Sequence, residues 1–230
     1  ELESNRIQEE QERRAWEFAD GFGADGFFEE GIVKSLEAIH KLCEIIFGEE
    51  VADEGFRLMV GAHFANAVSE LGWEKALEEE YYGIYSSLPI GGLFHNLEAY
   101  ARYVLIMEPV VELEERQKVL RQMITQAEAF LELMPVEAWG LKAEHLMRVA
   151  NRALVRWKLD NGSSITGYEL AAVWGFALQT IKNNLGRRGK AIEGSMKQIE
   201  ANEALAWLAT KGFQKSIWQL LGSDETQVIS

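Results

Sequence analysis

The chain has 230 residues, 47% of them hydrophobic, with 37 Asp plus Glu against 23 Lys plus Arg for a formal charge of −14. That length buries a substantial core in one large or two unequal domains, and seven Trp with eleven Phe beside only 3 Pro exclude a disordered or collagen-like chain. The single Cys43 excludes an internal disulfide and fits a reducing compartment. Charges break every long apolar run, and the Glu-rich start lacks the basic and apolar sections of a signal peptide, so a cytoplasmic chain without a membrane span is expected.

Residues 1–20 read as a charge-rich helix that gains Trp16 and Phe18 before Gly21, Gly23 and Gly26 stop it. From Gly31 to Phe47 the residues Ile32, Leu36, Ile39, Leu42, Cys43 and Ile46 recur at three- and four-residue steps, the period of a helix burying one stripe. Asp53 is expected to cap the next helix, whose stripe runs from Phe56 through Met59, Val60, His63, Phe64, Ala67 and Val68 to Leu71 and a stop at Gly72. Between Tyr81 and Phe94 no period is sustained, which predicts a helix end and a loop.

A helix from about Leu93 to Met107 should end before Pro109, because the residue preceding proline is pushed out of the helical region. Another starts near Val111, with Leu113, Leu120, Met123, Ile124, Ala127, Leu131 and Met134 on its apolar side. Pro135 stops it and opens the last long helix, marked by Trp139, Ala143, Leu146, Met147, Ala150, Leu154 and Trp157. That helix runs to the turn-forming Asp160-Asn161-Gly162-Ser163-Ser164. No strand-like alternation of any length is present, so the fold class is all-α, beginning with a bundle of about six helices.

Charge divides the chain. Residues 1–161 carry 16 basic and 31 acidic side chains, whereas residues 162–222 carry 7 basic and 4 acidic, with Arg187, Arg188 and Lys190 clustered. The expected organisation is an acidic helical bundle over 1–161 for dimerisation or sensing, a second domain over 162–222, and a tail over 223–230. A surface for a polyanion, if the chain has one, lies in the second domain.

That domain opens with Ile165-Thr166-Gly167-Tyr168-Glu169-Leu170-Ala171-Ala172-Val173-Trp174-Gly175-Phe176-Ala177-Leu178-Gln179-Thr180-Ile181-Lys182-Asn183-Asn184-Leu185. Ala171 is a small residue where two helices would cross. Gly175 follows at the turn, and Leu170, Trp174, Phe176, Ile181 and Leu185 supply an apolar wedge. The segment resembles the helix-turn-helix of bacterial sequence-specific DNA-binding regulators. The later run Ile199–Trp218, with Ala204-Leu205-Ala206-Trp207-Leu208 and then Phe213, resembles the supporting helix that some phage and plasmid-type regulators carry after the motif.

The resemblance covers about residues 163–220, and Trp174 departs from it by its bulk. It implies a cytoplasmic, dimeric regulator of transcription whose second helix, about Leu178–Leu185, enters the major groove of duplex DNA. Carried over by position, Gln179, Thr180, Lys182, Asn183 and Asn184 form the reading side. Amides suit adenine, and Lys182 is assigned to phosphate, as are Arg187, Arg188 and Lys190 in the loop that follows. A homodimer is expected because one recognition helix reads only a few base pairs.

Other constellations carry less. Glu37 and His40 have the spacing of a helical metal pair, but no second copy exists, since Val60, Gly92 and Lys142 stand three positions before the other histidines. Cys43 lies on an apolar stripe, and no nucleophile elbow, phosphate loop or dinucleotide fingerprint occurs, so no enzyme, metal or cofactor is expected. Tyr81, Tyr82, Tyr85, Phe94, His95, Tyr100 and Tyr103 would either line a small-molecule pocket or pack as ordinary core. The alternative to DNA binding is a helical protein–protein adaptor whose two parts are both docking surfaces.

Overall fold

A computed structural model describes residues 2–21, 28–73, 75–76, 88–105, 113–141, 143–186, 191–214 and 216. Over these residues the protein is predominantly helical: α1 Leu2–Gly21, α2 Phe28–Phe47, α3 Glu49–Val60, α4 Ala62–Leu71, α5 Pro89–Glu98, α6 Leu113–Leu133, α7 Val136–Trp139, α8 Glu144–Asp160, α9 Gly167–Trp174, α10 Leu178–Asn184 and α11 Ala201–Ala209. The strands β1 Leu185–Gly186 and β2 Ile192–Glu193 pair in parallel, and an antiparallel bridge joins Ile165 to Ile199. Among the described residues no helix is long and apolar enough to cross a membrane.

Backbone conformation explains where the elements depart from the sequence pattern. The stripe from Phe56 to Leu71 belongs to two helices, because Gly61 takes a φ of 86° that ends α3, its N–H returning to Arg57 O. Gly48 likewise places the start of α3 at Glu49, so Asp53 lies inside the helix instead of capping it. α5 opens on Pro89, where a fixed φ and a missing N–H cost nothing at a first helical position, rather than at Leu93. From Glu98 the chain widens into a π-helical turn, Ala99–Tyr103, closed by Val104 at a φ of 60°. Gly140, at φ 62°, separates Trp139 in α7 from the long helix α8. The helix expected to run to about Met107 ends already at Tyr103, while Gly23 and Gly26 lie outside the described residues.

The chain forms two compact units, one of residues 1–24, 96–128 and 147–230, the other of residues 25–95 and 129–146. In the second, Phe56, Phe64 and Ala65 form a core on which Leu36, Val60 and Trp73 pack, with the Phe56 and Trp73 rings 5.0 Å apart. Ile32 of α2 is buried, but Leu42 and Ile46 are exposed, so the apolar stripe of α2 outruns the core that covers it.

In the first unit, Val155 and Leu159 of α8 share one core with Ile165, Leu170, Val173, Ile181, Ile192, Ile199, Leu208 and Phe213. Residues 165–213 are thereby built onto α8. A buried polar network fixes the join. The Arg156 guanidinium, fully enclosed, donates from Nε to Ala101 O in the π-helical turn and from Nη1 to Gln214 O, both at 3.0 Å, with Phe213 stacked 3.8 Å from its centre. Asp160 Oδ2 accepts from Tyr100 Oη at 2.7 Å and Ser216 Oγ at 2.6 Å.

Burial dominates the electrostatics of this cluster. It raises the Asp160 carboxyl despite Arg156 and the two hydroxyl donors, lifts the Tyr100 phenol well above its ordinary range, and lowers the Arg156 guanidinium, which Asp160 in part restores. Removing one member of such a cluster leaves the others desolvated and unsatisfied. Arg156→Leu is therefore expected to cost about 3–5 kcal/mol in urea unfolding, far more than an exposed substitution such as Arg148→Leu. A loss below about 1 kcal/mol would show that the network contributes little.

Candidate nucleic-acid interface

The segment 165–186 folds as two short helices joined at Gly175, and each feature has a local cause. Thr166 Oγ1 accepts from the Glu169 amide, while Glu169 Oε2 accepts from the Thr166 amide at 2.7 Å, a reciprocal cap that satisfies the first turn of α9. Lys158 of α8 pairs with Glu169 Oε1 at 2.5 Å and ties this cap to the preceding helix. Burial alone would raise the Glu169 carboxyl, but the Lys158 ammonium and the Thr166 amide and hydroxyl outweigh it and hold it below the usual carboxylate range. Gly167 lies close against Met196, whose thioether a Cβ there would have to displace and whose Cα it would meet at 3.3 Å.

At the other end of α9, Gly175 adopts φ 77° and ψ 24°, and the N–H groups of Gly175 and Phe176 both return to Ala171 O. Leu170 and Ile181 are fully buried, Ala171 is buried between them and the turn, and Phe176 and Leu185 pack against the same core. Trp174 does not join that wedge. It stays 37% exposed and makes a T-shaped contact with Phe213 at 5.5 Å, which accounts for a ring too large for the helix crossing.

Burying Ile181 turns the rest of α10 outward. Gln179, Thr180, Lys182 and Asn183 are exposed and Asn184 is half-buried. Gln179 Nε2 donates to Asn183 Oδ1 at 2.8 Å, and Asn184 Nδ2 donates to Thr180 O at 2.8 Å. The first bond uses one half of each amide. Oε1 of Gln179 and Nδ2 of Asn183 together still offer an acceptor and a donor one helical turn apart, the combination that adenine presents in reverse on its major-groove edge. Arg187, Arg188 and Lys190 lie outside the described residues, between β1 and β2. α11 supports this pair from below: Trp207 and Leu208 are buried, and Phe176 lies 5.0 Å from the Trp207 ring. Trp218 and the tail 223–230 lie outside the described residues.

A cavity of about 280 Å³ borders α9, lined among others by Val173, Trp174, Arg152, Arg102, Tyr103 and Gln214. Of the aromatic group noted in the sequence, Tyr103 reaches this cavity, whereas Phe94 is buried with its ring 6.0 Å from Phe130 and Tyr100 is buried on Asp160, so both are core. Tyr81, Tyr82 and Tyr85 lie outside the described residues. His40 is buried beneath Phe56 and faces two carboxylates, Asp53 at 2.9 Å from Nε2 and Glu44 at 3.6 Å from Nδ1, in place of the Glu37 pairing that sequence spacing suggested. The Asp53 contact ties α2 to α3, while Glu44 lies one turn further along α2 itself.

Thr166, Glu169 and Lys158 are absent from the residues singled out in the sequence, although Thr-Gly-Tyr-Glu has the spacing of a capping box. The Lys158 contact has no such signal, since it depends on how α8 meets α9. No known protein family, curated protein or solved structure matches the chain.

The depressed Glu169 carboxyl stabilises the fold above the ordinary glutamate value, and that contribution is lost as pH falls through the lower folded-state value. Glu169→Gln is expected to lower stability by about 1 kcal/mol at neutral pH, and the gap to wild type should close in acid. Denaturant melts at both pH values check this, and an equal gap at each would contradict it.

Proposed function

We propose that the protein binds duplex DNA sequence-specifically through α9 and α10, as a dimeric regulator of transcription of the bacterial helix-turn-helix kind. The observation that carries this reading is the division of α10 into one enclosed apolar residue, Ile181, and an outward face of Gln179, Thr180, Lys182 and Asn183. The outward side pairs two amides with a cation, groups suited to base edges and to phosphate respectively. The resemblance of residues 163–220 to such regulators supports the same conclusion.

In this mechanism α10 lies in the major groove, where the Gln179–Asn183 amide pair addresses adenine. Lys182, Arg187, Arg188 and Lys190 neutralise phosphates, which adds affinity and fixes orientation without reading bases. Acidic side chains elsewhere, 31 over residues 1–161, repel the duplex and confine it to this face. Thr180 and Asn184 stand at the margin of the reading side, where the Asn184 amide is already committed to Thr180 O.

The two kinds of contact separate experimentally. Arg187→Ala or Arg188→Ala should weaken binding to all sequences alike and reduce the slope of log affinity against log salt by roughly one each. Asn183→Ala should weaken binding to the preferred site by about 1–3 kcal/mol while leaving nonspecific affinity unchanged. Titrations by fluorescence anisotropy at several salt concentrations measure both. Binding to no duplex at low salt would remove DNA from the account and leave the helical adaptor.

A further inference from the structure

The cavity of about 280 Å³ beside α9 lies wholly within the first compact unit, where separate stretches of the chain meet around it. α1 contributes Glu17, the π-helical turn Arg102 and Tyr103, α8 Arg152, α9 Val173 and Trp174, and the chain after α11 Gln214. Pockets for drug-sized ligands run from roughly 300 to 1,000 Å³, so this volume suits a single small metabolite rather than a peptide.

Its lining divides by chemistry. Val173 is buried, Tyr103 is half-buried, and the Trp174 ring keeps one part uncovered after its contact with Phe213, which together give an apolar and aromatic wall. Arg102 and Arg152 bring guanidinium groups, whose planar forks match a carboxylate, and Glu17 brings a carboxylate of its own. One buried atom is out of balance. Among the described residues Gln214 Oε1 is enclosed and accepts no hydrogen bond, although Gln214 is held in place by its main-chain oxygen, which accepts from Arg156 Nη1 at 3.0 Å. An enclosed acceptor without a donor is costly, so this atom is where a donor from outside the chain gains most.

The charges on the wall narrow the ligand. Arg102 Nη1 donates to Glu98 Oε1 at 3.3 Å, and Glu17 pairs with Arg13 on the exposed side of α1, a kind of pair that holds its members weakly and leaves the carboxylate able to take a second cation. A simple anion would meet Glu17, and a simple cation would meet Arg102 and Arg152. A molecule carrying both charges avoids each conflict, provided that its ammonium also supplies the donor that Gln214 Oε1 lacks.

We propose that this cavity binds a free α-amino acid with an apolar or aromatic side chain. Its carboxylate faces Arg102 and Arg152, its ammonium faces Gln214 Oε1 and Glu17, and its side chain lies on Val173, Tyr103 and Trp174. Arg152 also reaches the turn after α9, where a Cβ on Gly175 would lie 3.6 Å from its Nη2, so an occupied cavity braces that turn against α8. The site does not depend on whether α10 binds DNA.

The experiment is isothermal titration calorimetry of the intact chain without DNA, against L-phenylalanine and L-leucine, with circular dichroism melts as the control for folding. At least one of the two should bind with one molecule per chain, and its deaminated acid and its decarboxylated amine should each bind more than about tenfold more weakly. Arg152→Gln should weaken the amino acid by a similar factor. Gln214→Leu should also weaken it, yet leave binding of the deaminated acid unchanged and the melt of the free chain unchanged or higher, because it removes an unsatisfied acceptor; general loss of structure would move all three together. Binding of neither amino acid at roughly 10 mM would overturn the proposal. So would a deaminated acid that binds as tightly as its parent, or a Gln214→Leu variant with wild-type affinity for the amino acid.

Discussion

A fully enclosed guanidinium organises the first compact unit. Arg156 cannot be solvated where it lies, so acceptors within the fold take the place of water, Ala101 O for Nε and Gln214 O for Nη1. Those two carbonyls belong to segments far apart in sequence, the π-helical turn and the chain leaving α11. The same side chain carries Phe213 against its face, and Phe213 in turn makes a T-shaped contact with Trp174 at the end of α9. A single buried charge thereby links α8, the π-helical turn, the residues after α11 and the first helix of the candidate interface.

That linkage makes the position of α10 a consequence of α8. Lys158 holds the capping carboxylate of α9 from one side, and Val155 and Leu159 share a core with Leu170 and Ile181. With Gly175 setting the turn, the outward amides of α10 stand on a platform whose side chains are locked by packing. Pre-organisation of this kind lowers the entropy lost when a surface engages its target, and it concentrates specificity on the few residues left outside.

Much of this was legible in the sequence because it depends on local rules. The helical periods, the turn glycine, the small Ala171 and the buried Ile181 all follow from spacing, and the structure has each of them. What escaped has a different origin. Gly61 breaks the apolar period from Phe56 to Leu71, and Gly48 sets the helix start at Glu49, both through backbone conformation that a hydrophobic pattern does not record. Arg156, Asp160 and Tyr100 look like surface or pocket residues by composition, yet they meet only through tertiary contact, as do Asp53 and His40. Its neighbours in sequence place Trp174 in the helix crossing, whereas its partner is Phe213.

The central claim is that the outward face of α10 reads base sequence. Selection from a random duplex library at near-physiological salt tests it most directly, with the intact chain run beside a Gln179→Ala, Asn183→Ala double variant. The account predicts that the wild type enriches a motif containing adenine, that the variant loses this motif, and that the motif repeats with twofold symmetry. Enrichment of the same motif by both proteins, or of none by either, would contradict it.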